Sequence, residues 1–432
     1  MTATTIKTTT MTTTGTADAE SQAQGFASRR TLLTLLLLTL VYLCLNIDRG
    51  IVSVMLEPIK AEFVLSDSQL GLIPFAFSLF FVLAGVPLGI LGDRCSRRSI
   101  IGSCLVVFSL ATTLGGAAQN FTQLLFSRLV VGAGEAGCGP AAMAMISGLF
   151  PDRHRATAMS IYYSSVPVGF LLTFFGGGLM VAHLGWRLTF LAAGLPGLIL
   201  AILVLFLVQE PVAERRSTSI KIPLAQMVRS LWELNALRHL ISAIVVNALV
   251  AAAVMTWIAP FLKRSHGMPI QEAGPMIGLF YGLVSLLGVV FGGLLGDRLA
   301  RRNALWQTRF LSLASMACAP LLLGTLLCTG TAAMLVFFVL WAVASSLWYG
   351  PAYAMTQSLV PANLRATLAS IIYLLTSLIG VGLGAQLIGL LSDAFALAAG
   401  VESLRYALLT LVLVHLWAAW HFLLAGRSHD HG

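Results

Sequence analysis

Charge is what this sequence has least of. Asp, Glu, Lys and Arg make up 10% of the 432 residues, against about 25% in an ordinary soluble domain, so water is excluded as the main solvent for the folded chain. Acids are scarcer than bases, 17 against 26, which leaves a net charge of +9. That surplus is spread over short loops instead of forming one patch, so no nucleic-acid partner is expected. The six cysteines include no C-x-x-C pair, which argues against a zinc site or a disulfide framework. No metal and no cofactor are expected. G-x-S-x-G and H-E-x-x-H are also missing, and with them the usual nucleophile or metal of a membrane hydrolase.

Long apolar runs are what is there. Hydrophobic residues reach 58%, and a membrane-spanning helix needs about 20 of them in a row. The hydropathy pattern predicts helices over 31–57, 68–91, 99–118, 121–150, 156–180, 186–208, 238–263, 271–296, 304–328, 331–359, 364–391 and 403–425. The expected class is an all-α integral membrane protein of twelve spans. Residues 1–28 are small and polar and are expected to be a disordered tail. The remaining boundaries are a six-helix half at 29–208, a linker at 209–235, a second half at 236–426 and a tail at 427–432. Leu224, Met227, Val228 and Leu231 fall at helical spacing, which suggests a short helix lying on the membrane face. Ser66 with Gln69, and Asn120 with Gln123, read as capping boxes.

Basic residues decide orientation. One set of alternate loops carries Arg29, Arg30, Arg94, Arg97, Arg98, Arg153, Arg155, Arg298, Arg301, Arg302, Arg365 and Arg427, while the other holds little beyond Lys60, Arg187, Lys263, Arg264 and Arg405. By the positive-inside rule both termini are cytoplasmic, as an even number of spans requires. A multi-pass protein of a bacterial inner membrane is the expectation.

The chain also repeats itself. Residues 89–98 read Gly-Ile-Leu-Gly-Asp-Arg-Cys-Ser-Arg-Arg, and 293–302 read Gly-Leu-Leu-Gly-Asp-Arg-Leu-Ala-Arg-Arg, with Asp93 and Asp297 204 residues apart. Arg155-Ala-Thr157 recurs as Arg365-Ala-Thr367. Two related halves imply a pseudo-two-fold axis with a cavity between them, the plan of a carrier. The doubled loop resembles the signature loop of the major facilitator superfamily. That resemblance implies that Gly89, Asp93, Arg94 and Arg98, with Gly293, Asp297, Arg298 and Arg302, form a latch holding the halves in one state.

Against this apolar background, Asp48 and Arg49 lie inside the first span, and Arg128 and Glu135 sit seven residues apart in the fourth. A charge at the bilayer centre costs about 2.5–3.5 kcal/mol, so two acids and two bases in one half read as an internal paired cluster. Asp48 is the first candidate for a proton site and Glu135 the second. Asn46-Ile-Asp48-Arg49, Leu56-Glu57-Pro58, Leu65-Ser-Asp-Ser-Gln-Leu-Gly71 and Gly132-Ala-Gly-Glu135-Ala136 resemble the spinster branch of that superfamily. The resemblance implies that Asp48 and Glu135 serve coupling while Arg49 and Arg128 meet substrate. Tyr162, Tyr353 and Gln357 are further candidates for substrate contact.

Small-residue packing explains Gly132–Gly137, Gly85/Gly89, Gly288/Gly292 and Gly380/Gly384 better than a dinucleotide site does. The second half looks nearly free of intramembrane charge. His415, His421, His429 and His431 read as a solvated tail. The expected function is secondary active transport by alternating access, proton-coupled, of a small or amphipathic, anionic, lysolipid-like substrate. A carrier of small organic anions or drugs, or a uniporter, is the runner-up, and a lipid-modifying enzyme the rival from another class. Protons and membrane lipids are the other expected partners, and the expected state is a monomer.

Overall fold

The computed structural model describes residues 28–210, 232–361 and 364–429, so the expectations for most of the 1–28 tail, for the amphipathic linker helix and for the last residues lie outside the described residues. Those that are described form helices and no strands. In chain order the helical spans are α1 Arg29–Phe63, α2 Asp67–Arg94, α3 Arg97–Gly115, α4 Phe121–Leu149, α5 at 152–184 and α6 at 186–207. The second half supplies α7 Asn235–His266, α8 Ile270–Ala300, α9 Ala304–Leu327, α10 Thr331–Ser358, α11 at 365–399 and α12 Ser403–His429.

Ten stretches among the described residues are long and apolar enough to cross a membrane, but two of them are 51 and 62 residues long. At 1.5 Å per residue these would extend about 75 and 90 Å, against a hydrocarbon core of about 30 Å. Each folds back at a glycine with left-handed φ. Gly185 (φ 76°) separates α5 from α6, and Gly400 (φ 55°) precedes α12. A Cβ is strained at positive φ, so glycine is what lets the chain reverse there. Ten stretches thus give twelve spans.

Local starts follow side-chain chemistry. Ser66 caps α2 in a full capping box with Gln69. At α4, Asn120 Oδ1 accepts from the Gln123 backbone N–H, but Gln123 Oε1 takes the N–H of Gln119 and not that of Asn120. The predicted box is therefore displaced by one residue on that side. The internal repeat reaches below the motifs: α5 and α11 each contain a π-helical turn, Leu172–Gly177 and Thr376–Leu383, whose starts are 376 − 172 = 204 residues apart.

The apolar core has a shape with consequences. Toward the end bearing the Asp-Arg loops (the basic end), the first half packs its own cluster around Leu38, Phe108, Met145 and Tyr162. The second half packs another around Leu240, Trp348, Leu368 and Phe422. At the opposite (far) end a single cluster joins both halves, with Met55, Ile59, Ile73 and Phe174 beside Trp257, Phe261, Ile277 and Ile388. The halves are fused at the far end and separate at the basic end.

Glycines permit that fusion. A Cβ at Gly274 in α8 would meet the Phe174 carbonyl of α5, and one at Gly389 in α11 would meet the Asp67 carbonyl of α2. Gly274→Val is expected to push α5 and α8 apart and depopulate the far-end-closed state. A distance measured between spin labels across that end reads this out, and an unchanged distribution would refute it. Packing also accounts for Gly132, Gly134, Gly288, Gly292, Gly380 and Gly384, each set against a neighbouring helix. Gly89 departs from the expectation, because no atom of the described residues lies within 4 Å of a Cβ built there, and Gly293 is equally open. Both lie at the end where the halves diverge.

Two of the four C-terminal histidines, His415 and His421, do not belong to a solvated tail; the His429 side chain and His431 lie outside the described residues. Helix α12 continues to His429. His415 is 1% exposed and accepts a 3.1 Å hydrogen bond at Nε2 from Trp341 Nε1. His421 Nδ1 lies 3.0 Å from His239 Nδ1 of α7.

Candidate functional site

Asp48 and Arg49 are adjacent on α1, so their side chains leave the helix about 100° apart and reach different partners. Asp48 points into the first half and is 3% exposed. Its Oδ1 accepts from Thr112 Oγ1 of α3 at 2.5 Å, and its Oδ2 accepts from Arg128 Nη1 of α4 at 3.4 Å. Arg128, 2% exposed, also donates from Nη2 to Thr112 Oγ1 at 3.3 Å and lies over the Phe190 ring of α6, 4.8 Å from its centroid. Asp48, Thr112 and Arg128 form a closed triangle away from water.

Arg49 faces the seam between the halves. Its Nε donates to Glu135 Oε2 at 2.6 Å, and its Nη1 donates to the Tyr373 hydroxyl of α11 at 2.9 Å. The guanidinium carbon lies 4.9 Å from the Phe81 ring centroid and 5.6 Å from that of Phe77. Its side chain is 25% exposed, while that of Glu135 is 0%. Glu135 Oε1 is buried with no hydrogen-bond partner among the described residues. Seven residues along α4 put Arg128 and Glu135 two turns apart on one face, so the four charges pair crosswise, each base on α1 or α4 with the acid of the other helix. The paired cluster read from the sequence is present; its pairing is Asp48 with Arg128 and Arg49 with Glu135.

The other sequence-predicted residues are placed as follows. Tyr162 is 1% exposed and stacks on Tyr42 at 4.5 Å, and its neighbour Tyr163, 45% exposed, packs edge-on against both. Tyr353 stacks on Trp348 at 6.4 Å in α10, and Gln357, one turn on, is half-buried. Of the loop residues, Asp297, Arg298 and Arg302 are exposed and Arg98 is half-buried; the side chains of Asp93 and Arg94 lie outside the described residues.

A second charged network was missed. Arg264 at the end of α7 donates to Glu57 of α1 (Nε 2.9 Å and Nη2 2.6 Å to Oε1) and to Asp67 of α2 (Nη1 2.6 Å and Nη2 2.8 Å). Asp67 also receives Lys60 Nζ at 2.6 Å and the Ser392 hydroxyl of α11 at 2.6 Å. Asp393 accepts the backbone N–H groups of Asp67 and Ser68 at 2.9 and 2.8 Å. All of these cross-half bonds lie at the far end. In sequence, Asp67 is absorbed by a capping box and Arg264 by a loop. Asp393 lies just past the predicted end of its span at 391 and reads in sequence as part of the following loop.

In sequence and in overall fold the chain is similar to known proteins. The Major Facilitator Superfamily model matches residues 38–385. An MFS-type efflux pump of Mycolicibacterium smegmatis is 31% identical over 372 residues, with 85% of each chain covered. Protein spinster homolog 1 of Mus musculus is 32% identical over 399 residues, covering 83% of this chain and 73% of the mouse protein. A crystal structure of a bacterial homolog to the human lysosomal transporter Spinster, inward-facing and unoccupied, superposes with a TM-score of 0.84 at 28% identity, covering 94% of this chain and 98% of that one. A D-xylose-proton symporter shares the fold, with a TM-score of 0.73 at 16% identity over 90% of this chain and 96% of the symporter. Twelve spans in two repeated halves, fused at one end and parted at the other, and a family model over most of the length lead to one conclusion: the chain is a spinster-like member of the Major Facilitator Superfamily.

Proposed function

We propose that this protein couples proton movement to transport of an amphipathic, anionic, lysolipid-like substrate. Transport by alternating access is the coarser function its family and inward-facing relatives carry; coupling and cargo are the reading offered here. The observation that carries it is Arg49, which bridges a buried Glu135 and a tyrosine of the opposite half. When Glu135 is ionised, Arg49 is neutralised by it. When Glu135 takes a proton, the guanidinium is released to hold an anionic head group, with Tyr373 and the aromatic faces of Phe77 and Phe81 beside it. Protonation and substrate binding then favour one another at a single cation. Glu135 has an oxygen to spare for the proton, whereas both oxygens of Asp48 are occupied, so Asp48 and Arg128 form the supporting pair that fixes α1 against α3 and α4. Tyr162 backs the site through Tyr42, and Tyr353 and Gln357 supply contacts from the second half.

On this reading the basic end is cytoplasmic, both termini lie there, and the protein works as a monomer in a bacterial inner membrane. Gly89, Asp93, Arg94, Arg98, Gly293, Asp297, Arg298 and Arg302 close that end in the opposite state, where the space around Gly89 and Gly293 is taken up. The far-end network then opens. The domain scheme of two halves joined near 209–235 carries over.

The test is proton flux into proteoliposomes on adding a lysophospholipid, set beside a panel of small organic anions. Wild type is expected to respond to the lipid, Glu135→Gln to bind it without flux, and Asp48→Asn to respond weakly at unaltered pH dependence. Flux with small anions alone would favour the runner-up, a carrier of organic anions or drugs, to which the name of the mycobacterial relative points. Equilibration of labelled substrate with no proton flux in wild type would make it a uniporter.

A further inference from the structure

A cavity of about 230 Å³ opens at the far end, and its walls come from both halves. The first half contributes Val54, Glu57 and Pro58 of α1, and the second contributes Pro260 and Lys263 of α7 with Gln271 of α8. It is separate from the Arg49–Glu135 site, since one to two turns of α1 and the joined apolar cluster around Met55 and Trp257 lie between them. Its charges are unequally satisfied. Glu57 Oε1 receives two donors from Arg264, while among the described residues Lys263 Nζ reaches only Glu57 Oε2, at 4.0 Å, and its side chain is 53% exposed. A loosely held ammonium and the exposed Gln271 amide therefore stand over an apolar floor of prolines and valine.

We propose that this cavity is a second ligand site, for a small free amphipath bearing an anionic head such as a carboxylate, and that its occupant holds the far end closed. The charge follows from Lys263, which gains a full partner when an anion arrives. The size follows from the volume, which is below the roughly 300–1,000 Å³ of pockets for drug-sized ligands and suits a head with a short chain. The regulatory consequence follows from the walls. Because each half supplies one side, the site exists only while the halves are joined at the far end. A ligand that binds one state alone shifts the population toward it. Occupancy therefore arrests the cycle in the inward-facing state without competing at the central site.

Calorimetric titration of octanoate into the protein in phosphatidylcholine nanodiscs tests this, with octanol and octyltrimethylammonium as probes of the head group. Saturable binding of octanoate alone is expected, weakened at least tenfold by Lys263→Ala. Asp393 lines no part of the cavity, and Asp393→Ala removes two of the three hydrogen bonds that join α11 to the start of α2 among the described residues. It is expected to weaken octanoate severalfold by opening the far end, and a melting profile close to wild type separates this from misfolding. Octanol binding as well as octanoate, or no change in Lys263→Ala, would overturn the site. An unchanged affinity in Asp393→Ala would overturn its dependence on the closed state. Loss of octanoate binding when phosphatidylglycerol is added to the discs would mean that a bilayer lipid, not a free amphipath, is the occupant, and would overturn the assignment too. None of these readouts requires transport, so they stand apart from the fate of the coupling proposal.

Discussion

Replacing Arg264 with alanine is expected to reverse the resting state of the transporter. In the structure this one side chain holds Glu57 of α1 and Asp67 of α2 from the end of α7, and its own side chain is only 14% exposed. Asp67 is 3% exposed on its side chain, so its carboxylate would be left buried with Lys60 as its remaining basic partner. Breaking a buried pair by removing one partner costs about 3–5 kcal/mol. A surface ion pair, by contrast, is worth about 0–1 kcal/mol, and that smaller figure applies to Arg187 with Glu62, whose side chains are 38% and 42% exposed. Moving a two-state equilibrium from 1:99 to 99:1 takes about 5.5 kcal/mol. Arg264→Ala therefore approaches a full reversal, while Arg187→Ala, whose partners Glu62, Gly116 and Ala118 all lie in the first half, barely shifts the balance. Spin labels at Val64 and Leu397, both fully accessible at the far end, would report the change as a long-distance population in Arg264→Ala. If both variants keep the wild-type distance, the far-end network is not what holds the halves together.

The second large effect concerns the triangle of Asp48, Thr112 and Arg128. An ordinary interhelical hydrogen bond inside a membrane contributes about 0.6 kcal/mol on average, which would make Asp48→Asn nearly silent. The stronger consideration is what is left behind. Arg128 is 2% exposed, and an arginine stranded at the centre of a helix costs about 2.5–3.5 kcal/mol. Asp48→Asn and Arg128→Met are thus each expected to lower the thermal unfolding midpoint markedly. The double variant Asp48→Leu/Arg128→Met should recover most of the loss, because an apolar pair of similar size leaves no unpaired charge. Glu135→Gln should cost less, since Arg49 is 25% exposed and retains Tyr373 and two aromatic rings. The order of the four midpoints decides the matter. Were Glu135→Gln the most destabilised, the division into a supporting pair and an exchanging pair would have to be inverted.

Some of this protein was determined by sequence alone, and the reason is that the bilayer imposes local rules. A span must be long, apolar and helical because its backbone groups find no water, so twelve segments could be read from hydropathy with only their ends uncertain. A charge inside such a run stands out at once, which is why Asp48, Arg49, Arg128 and Glu135 were legible. The two halves were legible because Gly-x-x-Gly-Asp-Arg recurs 204 residues later.

Other properties belong to the tertiary structure. Which base meets which acid depends on how α1 turns against α4, since Asp48 and Arg49 are neighbours in the chain yet reach different helices. Tyr373 enters the site from 324 residues away, a distance over which no periodicity carries information. The far-end network is assembled from Glu57, Asp67, Arg264 and Asp393, each of which reads locally as something plainer: a loop charge, a cap or an isolated acid. Their meaning lies in closure of one half upon the other, and that is decided only when glycines such as Gly274 and Gly389 let the backbones touch. A span is specified by its own residues and the solvent around it, while a gate is specified by two surfaces that meet.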